Sequence, residues 1–324
     1  MAIRANRQRF KLAALCDPNG KVLGAAGRGN HITLLFQDFS QMLKQLKGKV
    51  DLIVIASPNF LHHNQAIKAL DYGYNVLIEK PVSFKSLQSL KIGEKARILN
   101  RRAFATLQVR YYPAVKLFKN IIARGILGNT RFVSLVQSWQ RPEDFFSSWR
   151  RDQKKIGGIL YEVALHYLDI MQWAFGVPRV LSTHTFKLKY KHISFEDTLL
   201  STLCFKNGAA GSLEITVAAE PSNLECSLMV IGEKGSIKLG GKRMDKIEYA
   251  KFANQDYENL DIKTKIAKEK AQMVTKYGKL PISRIALARL YEDLALDQGI
   301  SVEEATGTIK FIENIYSKVD VDKC

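Results

Sequence analysis

The sequence lacks the features that mark secreted, membrane and metal-dependent proteins. Its 324 residues include four cysteines and no CxxC pair, and no apolar run reaches the roughly 18 residues of a membrane span. The first residues also lack the apolar core of a secretory signal. We therefore expect a cytoplasmic protein with reduced thiols, no membrane association and no bound metal. The cysteines are Cys16, Cys204, Cys226 and Cys324.

Negative charge is also scarce. The chain has 31 Asp and Glu residues against 49 Lys and Arg residues, so its formal net charge is +18. Such a field attracts anions of many kinds. The basic residues are scattered, without a long basic run that is interleaved with aromatic residues, so nucleic acid is not the expected partner. A small molecule that carries phosphate fits the charge better.

The first part of the chain alternates short β-branched runs with amphipathic stretches, which is typical of a doubly wound parallel sheet. The chain is long enough for two domains, and its 46% hydrophobic content suits a well-cored protein. We predict strands at 10–16, 50–56, 75–79 and 102–109, and helices at 62–70, 85–99 and 113–124.

After Gly125 the pattern changes to longer strands joined by hairpin turns. We predict strands at 130–139, 180–191, 197–205, 211–217, 224–231 and 236–239, and helices at 158–175, 283–297 and 302–318. This favours two domains, 1–115 and 116–324, the second an α+β unit with a large, mainly antiparallel sheet. Because one face of that sheet is left open, we expect a homo-dimer or homo-tetramer.

Two strand ends of the first domain carry polar residues. The strand that includes VDLIVIA is followed by Ser57-Pro58-Asn59-Phe60-Leu61-His62, and the strand NVLIE is followed by Lys80 and Pro81. Pro81 cannot donate a backbone hydrogen bond, so the second strand must stop at Lys80. The Lys80 ammonium therefore lies at a strand end, where α/β enzymes keep their chemistry.

A predicted helix of the second domain carries the other reactive groups. It follows Gly157-Gly158 and contains Glu162, His166 and Asp169, whose spacing lets all three share a face. Imidazole suits proton transfer near neutral pH, although a single histidine on a helix is more often structural. The same three residues have no further His or Cys partner, so a metal site is disfavoured.

The SPNxxH turn, the NVLIEKP strand end and the GGx7Hx2D segment occur in an order and spacing that resemble the Gfo/Idh/MocA family of NAD(P)-dependent sugar dehydrogenases. The resemblance covers essentially the whole chain except the family's first strand. It implies a Rossmann-like first domain. The residues that it places beside the cofactor are Ser57, Asn59, His62, Glu79, Lys80, Pro81, Gln108 and Trp149.

The resemblance also implies catalytic roles. His166 is the expected proton acceptor, and Lys80 polarises the same hydroxyl or relays its proton, with a pKa lowered by burial. Glu162 departs from the family, which usually carries Asp at this position and in some sugar-nucleotide members Asn. Either the longer Glu162 side chain shifts the substrate hydroxyl, or Glu162 is a solvated helix residue.

Several further segments look most like the branch that oxidises UDP-N-acetylglucosaminuronate at C3 in lipopolysaccharide and other surface-polysaccharide synthesis. Basic residues on the substrate side agree with an anionic sugar. The residues expected there are Arg110, Lys154, Lys155, Asp169 and Tyr291. A non-catalytic sugar or nucleotide sensor of the same fold, or an inactive truncated product, stays open as an alternative.

The cofactor half of the pattern is incomplete. Asp17 fits the acid that binds the adenosine ribose, and its charge favours NAD over NADP, although it also fits a simple turn before Pro18. The glycine turn expected about 20 residues earlier would precede Met1. Gly24-x-x-Gly27-x-Gly29 has the wrong order and we interpret it as a loop. Either the true start lies upstream, or the pyrophosphate site has been lost; the first is our expectation.

Overall fold

The computed structural model describes residues 2–253 and 261–319. Its helices are α1 (Ala2–Ala5), α2 (Gly20–Asn30), α3 (Phe39–Gln45), α4 (His62–Asp71), α5 (Ser86–Ile98), α6 (Pro113–Ala123), α7 (Gln153–Ile156), α8 (Leu165–Phe175), α9 (Ile262–Tyr277), α10 (Ile282–Ala295) and α11 (Val302–Tyr316). Its strands are β1 (Leu15–Cys16), β2 (Leu35–Phe36), β3 (Leu52–Ile55), β4 (Asn75–Ile78), β5 (Ala103–Ala105), β6 (Thr130–Ser138), β7 (Arg179–Phe186), β8 (Thr198–Cys204), β9 (Ala210–Thr216), β10 (Glu225–Gly232), β11 (Gly235–Gly240) and β12 (Lys246–Phe252).

The first domain is built from parallel strands, which confirms the predicted fold class. β1 pairs with β2, and β3, β4 and β5 form a separate sheet in that order. In the usual doubly wound order the first strand lies between the second and the fourth. β1 and β3 occupy those two positions, so the interruption in pairing falls where the first strand belongs. Val54 of β3 remains 39% exposed, as expected beside an incompletely covered sheet.

The register of β3 and β4 brings two polar turns together. Ile55 of β3 lies opposite Ile78 of β4, and both side chains are buried. The apolar residues of α4 cover this pair, with Ala66, Ala69 and Leu70 fully buried. Since parallel strands end at the same edge, the turn after Ile55 and the turn after Ile78 meet at one edge of the sheet.

The glycine segment at residues 24–29 was predicted incorrectly. Gly24, Gly27 and Gly29 lie inside helix α2 and not in a loop. The helix begins because the side chain of Asn19 accepts hydrogen bonds from the backbone of Lys21 and Val22, a local cap that outweighs the low helix propensity of glycine. The structure also adds elements that the sequence pattern did not predict, strand β12 and helices α3, α7 and α9.

The second domain contains the predicted large sheet, whose strand order is β12-β11-β10-β6-β9-β8-β7. Neighbouring strands are antiparallel except for β6 and β9. In β8 buried Leu199 and Leu203 alternate with Leu200, which is 41% exposed. Helices α6, α8 and α11 contact the sheet, and the opposite face carries Leu200, Ile231 and Tyr249, all exposed.

The C-terminal helices contact both domains. Asn6 donates a hydrogen bond to the carbonyl of Ala288 in α10, and the backbone N–H of Ala105 donates to the carbonyl of Ile300. The boundary between residues 115 and 116 stays a prediction. No helix of the described residues is long and apolar enough to cross a membrane. Cys16, Cys204 and Cys226 are free thiols, and Cys324 lies outside the described residues.

A buried ion pair fixes helix α8 in the second domain. The Nε and Nη2 atoms of Arg110 donate to the two oxygens of Asp169 at 2.7 and 2.8 Å, and Thr308 of α11 donates to the same carboxylate. Arg110 is 5% exposed and Asp169 is 1% exposed. The Arg110 guanidinium also lies 4.9 Å from the ring centroid of Trp173. The expectation that Arg110 and Asp169 face the substrate is therefore replaced by a structural role, because each saturates the other.

We predict that Asp169→Asn lowers the free energy of unfolding by about 3–5 kcal/mol, since it leaves the buried Arg110 charge with only the exposed carboxylate of Glu304 beside it. Glu304→Gln is the matched control: Glu304 contacts the same guanidinium at 3.3 Å but is 53% exposed, so a loss within about 1 kcal/mol is expected. Urea unfolding measures both variants. Equal losses would contradict the assignment of the buried pair as the dominant contact.

Candidate active site

Lys80 lies where β4 ends and reaches the second domain. Its Nζ atom donates to the backbone carbonyl of Glu162 at 2.5 Å. Burial lowers the Lys80 pKa, and the carboxylates of Glu162 and Glu79 oppose that effect only in part. The side chain of Lys80 forms no ion pair within the described part of the chain. An ammonium with a lowered pKa and no fixed counter-ion can exchange its proton more readily than an ordinary lysine.

His166 is on helix α8, directly after a π-helical turn at Leu160–Ala164. Its Nδ1 atom is buried and has no hydrogen-bond partner. Burial, followed by repulsion from Lys80, lowers the pKa of His166 to about 3, so the ring is neutral at ordinary pH. His166 therefore offers an unprotonated nitrogen beside the Lys80 ammonium.

Glu162 is neither solvated nor turned toward the cavity that His166 lines. Its carboxylate accepts from the Asn59 amide at 2.9 Å and from Nε of Arg150 at 3.1 Å, and its side chain is 9% exposed. The interpretation of Glu162 as a solvated helix residue is therefore wrong. Glu162 lies within the π-helical turn, whose wider spacing separates its contacts from those of His166.

Trp149 and Arg150 extend the contacts of Glu162 toward the first domain. The Arg150 guanidinium lies 4.5 Å from the ring centroid of Trp149, and the Trp149 ring packs edge-on against Phe60 in the turn after β3. Asn59 in the same turn is 7% exposed. The structure therefore brings Asn59, Trp149 and Glu162 together at the junction of the two domains.

His62 supports the two strand-end turns. It is 1% exposed, and its ring nitrogens lie 2.6 Å from the carbonyl oxygen of Pro81 and 2.8 Å from that of Ser57. Burial lowers the His62 pKa, and a neutral imidazole has one N–H to donate, so it bonds to one carbonyl at a time. Ser57 in turn donates to Gln65 of α4 at 2.6 Å. His62 thus joins the turn after β3 to the Lys80-Pro81 segment.

A cavity of 540 Å³ lies beside His166. It contains no Asp or Glu among its lining residues, and the buried atoms Oε1 of Gln108 and Nε of Arg141 have no hydrogen-bond partner. The lining residues are Gln108, Val109, Tyr112, Trp139, Gln140, Arg141, Pro142, Phe145, His166, Tyr167, Asn223 and Arg243. A cavity with arginines, unpaired polar atoms and no carboxylate suits an anionic polar ligand.

Three residues expected at the substrate do not line this cavity. Lys154 and Lys155 are exposed on α7, where Lys155 lies 3.9 Å from Asp152. Tyr291 is 7% exposed and packs edge-on against Phe10, and its pKa is raised to about 12 by burial and by Glu79. These positions give the three residues contacts elsewhere in the fold.

Several cavity residues were missed from the sequence. Arg141 stands two residues after Trp139, immediately before Pro142, just beyond the end of β6. A cation at a strand end is the signal that would have found it, and the same argument had already singled out Lys80. Arg243 lies between β11 and β12 and Tyr167 lies on α8, and neither belongs to a recognisable sequence motif.

The described residues fit the adenosine ribose of a dinucleotide better than its pyrophosphate. Asp17 follows β1, as the ribose-binding acid must, and one of its oxygens accepts from the backbone of Asn19 at 2.8 Å. Ser57, Asn59, Glu79 and Lys80 lie at the neighbouring strand ends. Within the described ranges, no turn with more than one glycine joins a parallel strand to the next helix, so no pyrophosphate cradle of that kind is present among them.

No group of three or more His, Cys, Asp or Glu side chains within residues 2–253 and 261–319 is arranged to hold a metal ion. The Asp169 carboxylate is bound by Arg110 and Thr308, and Glu162 is bound by Asn59 and Arg150. Lys80 and His166 are therefore the candidates for acid-base chemistry that these contacts leave.

Comparison with known proteins agrees with this geometry. Residues 1–106 match the model of the oxidoreductase family with an NAD-binding Rossmann fold, and residues 115–238 match the GFO/IDH/MocA C-terminal domain. The levoglucosan dehydrogenase of Pseudarthrobacter phenanthrenivorans is 27% identical over 64% of this chain and 59% of its own length. The glucose-6-phosphate 3-dehydrogenase of Bacillus subtilis is 25% identical over 63% of this chain and 60% of its own. The chain thus spans less than two thirds of either relative.

Solved structures are similar to this chain over a larger share of its length. The WlbA dehydrogenase of Bordetella pertussis, solved in complex with NADH and UDP-GlcNAcA, has a TM-score of 0.87 and 27% identity, covering 98% of this chain and 90% of that one. The levoglucosan dehydrogenase complex with NADH and levoglucosan has a TM-score of 0.78 at 20% identity, covers 98% of this chain and 92% of that one, and is similar in fold. The chain belongs to the Gfo/Idh/MocA family of oxidoreductases, and its first domain is the NAD-binding Rossmann domain of that family.

Proposed function

We propose that the chain oxidises a secondary hydroxyl of an anionic sugar with NAD, and that the substrate is a UDP-linked N-acetylhexosaminuronate oxidised at C3. The observation that carries this proposal is the combination of a neutral His166 and a lone Lys80 ammonium with a carboxylate-free cavity that His166 and two arginines line. The likeness to a dehydrogenase solved with NADH and UDP-GlcNAcA supports the substrate class.

The residues perform the proton half of the oxidation. NAD, when bound, accepts the hydride from the carbinol carbon. His166 is unprotonated and takes the hydroxyl proton on a ring nitrogen, while Lys80 donates a hydrogen bond to the same oxygen. The repulsion between Lys80 and a protonated His166 then favours transfer of the proton onward, so the imidazole returns to its neutral form.

Asn59, Trp149 and Glu162 have a supporting role in this proposal. They hold the turn after β3 against the second domain, and the carbonyl of Glu162 orients the Lys80 ammonium. Asp17 and the strand-end residues Ser57 and Glu79 are assigned to the cofactor side. Glu162, at the position where the family usually carries Asp, then braces the domain junction through Asn59 and Arg150.

The proposed substrate gives the protein a cellular context. A UDP-sugar acid oxidised at C3 is an intermediate on the way to modified sugars, so we infer a cytoplasmic role in lipopolysaccharide or other surface-polysaccharide synthesis. The open face of the large sheet, which exposes Leu200, Ile231 and Tyr249, is proposed as the contact between subunits of a homo-dimer or homo-tetramer.

A second candidate function is a non-catalytic sugar or nucleotide sensor. One observation favours it: no glycine-rich turn joins the parallel strands to their helices among the described residues. The lowered pKa values of Lys80 and His166 oppose it, because a sensor has no need of a poised acid-base pair. A sensor would bind the sugar nucleotide without any reduction of NAD.

We predict that His166→Asn lowers kcat by about 10²–10⁴-fold, since the proton acceptor is lost, and that Lys80→Met has an effect of similar size. Fluorescence titration with NADH is expected to give unchanged binding for His166→Asn. His31→Asn is the control: His31 is exposed with a left-handed backbone that Asn also adopts, and full activity is expected. Full turnover by either active-site variant would refute the catalytic assignment.

The pH dependence of kcat/KM provides a separate prediction. Because the His166 pKa is lowered to about 3, no acidic loss of activity is expected near pH 6.5, where an ordinary histidine titrates. The Lys80 pKa is lowered, and the mechanism needs the ammonium, so activity is lost as pH rises, at a pH below the ordinary lysine value of about 10.4. Lys80→Arg removes this alkaline loss because a guanidinium stays charged. A loss of activity as the pH falls through about 6.5, if it disappears in His166→Asn, would contradict the low pKa of His166.

The proposed subunit contact is tested with one charge. Ile231 is 38% exposed on the open face, between Phe132 of β6 and Ser236 of β11. Sedimentation velocity is expected to give an oligomer for the parent chain and smaller species for Ile231→Glu, since burying an unpaired carboxylate opposes association. Ile98→Glu, at a site 70% exposed on α5, serves as the control with no expected change. A monomeric parent chain would exclude the contact.

A further inference from the structure

The cavity beside His166 contains a guanidinium without a protein counter-ion. Arg141 is half-buried, and its Cζ atom lies 4.6 Å from the ring centroid of Trp139 and 5.1 Å from that of Phe145. Its Nη1 atom donates to the carbonyl of Gln140 at 2.8 Å. Two aromatic contacts and one hydrogen bond therefore fix the orientation of the group before any ligand binds.

The remaining edge of this guanidinium is unused. Nε of Arg141 is buried without a partner, and Nη2 makes no hydrogen bond within residues 2–253 and 261–319. The Nε and Nη2 atoms form the side that grips a carboxylate with two parallel hydrogen bonds. Arg110 uses the same two atoms to bind both oxygens of Asp169. The Nε–Nη2 edge is therefore free in Arg141, whereas in Arg110 the carboxylate of Asp169 occupies it.

No carboxylate among the described residues binds the free Nε–Nη2 edge of Arg141. The nearest candidate is Glu162, which acts on both Arg141 and Lys80, but its two oxygens are bound by Asn59 and Arg150. The Arg141 charge also acts on Lys80, so the guanidinium is close to the group that we assign to the reacting hydroxyl. Its missing anion therefore belongs to the ligand, on or near the sugar ring.

We propose that Arg141 is the specificity residue that binds the carboxylate of a hexuronate ring and so selects sugar acids over neutral sugars. Exposed Arg243 lines the same cavity and suits the diphosphate, which stays hydrated. The planar, two-point edge of Arg141, stacked between Trp139 and Phe145, suits the smaller planar carboxylate. This inference rests on the proposed dehydrogenase function and names the group by which that site recognises its substrate.

Calorimetric titration in the presence of NADH separates the two anions, using UDP, UDP-N-acetylglucosamine and UDP-N-acetylglucosaminuronate as ligands. The parent chain is expected to bind the acid about 10- to 100-fold more tightly than the neutral UDP-sugar. Arg141→Gln removes that preference and leaves the Kd values for UDP and the neutral sugar unchanged. Arg141→Lys retains part of the preference, because it keeps the charge without the two-point edge.

Arg179→Gln is the matched control, since Arg179 is exposed at the start of β7 and forms no ion pair among the described residues. If Arg141→Gln does not fold, the uronamide of the same UDP-sugar replaces it as the test: the parent chain is expected to bind the amide as weakly as the neutral sugar. An equal loss for UDP and for the acid in Arg141→Gln would assign Arg141 to the diphosphate and overturn the proposal. A parent chain without any preference for the acid would overturn it too.

Binding and turnover fail independently in this design. A chain that prefers the acid through Arg141 but oxidises none of the UDP-sugars would refute the dehydrogenase function and leave the carboxylate site standing. A chain that oxidises the acid and the neutral sugar at the same kcat/KM, with or without Arg141, would refute the carboxylate site alone.

Discussion

The hydrogen bond from Lys80 to the carbonyl of Glu162 is the contact on which the site depends. It joins the end of a parallel strand in the first domain to a π-helical turn in the second, at 2.5 Å. The carboxylate of the same Glu162 returns to Asn59 in the first domain. One residue therefore bridges to both strand-end turns and joins the two domains beside His166.

The electrostatics of the site follow from buried cations whose charge the nearby carboxylates offset only in part. Burial lowers the pKa values of Lys80 and Arg141, and nearby carboxylates oppose that effect only in part. Burial, followed by repulsion from Lys80, lowers the pKa of His166. The neutral imidazole of His166 can accept a proton, and the neighbouring Lys80 ammonium can donate a hydrogen bond. In our proposal, the same incomplete compensation of charge also makes the cavity receptive to an anionic ligand, so proton transfer and substrate selection share one cause.

Local patterns predicted most of the fold and indicated Lys80 and His166 as candidates for the acid-base roles that we propose. β-branched runs bounded by turn residues predicted the core strands: β4 is buried on both faces, β3 is buried on one face, and the composition of each strand reflects this. Lys80 was found because Pro81 ends a strand at that residue. The glycines of α2 were misinterpreted, since their composition indicates a loop while a single cap at Asn19 and the packing of Leu23 and Gly27 favour a helix.

A comparison of Arg110 with Arg141 explains why the rest was not predictable. Arg110 and Arg141 are the same residue type, each near the end of an element and each plausible as an anion ligand. Asp169 reaches Arg110 across 59 positions in sequence and fills its Nε–Nη2 edge, while the oxygens of Glu162 near Arg141 are already bound. Which guanidinium keeps a free edge is decided by tertiary partners, and no local pattern encodes that choice. A cation is thus a binding residue only where the fold has left it without an anion.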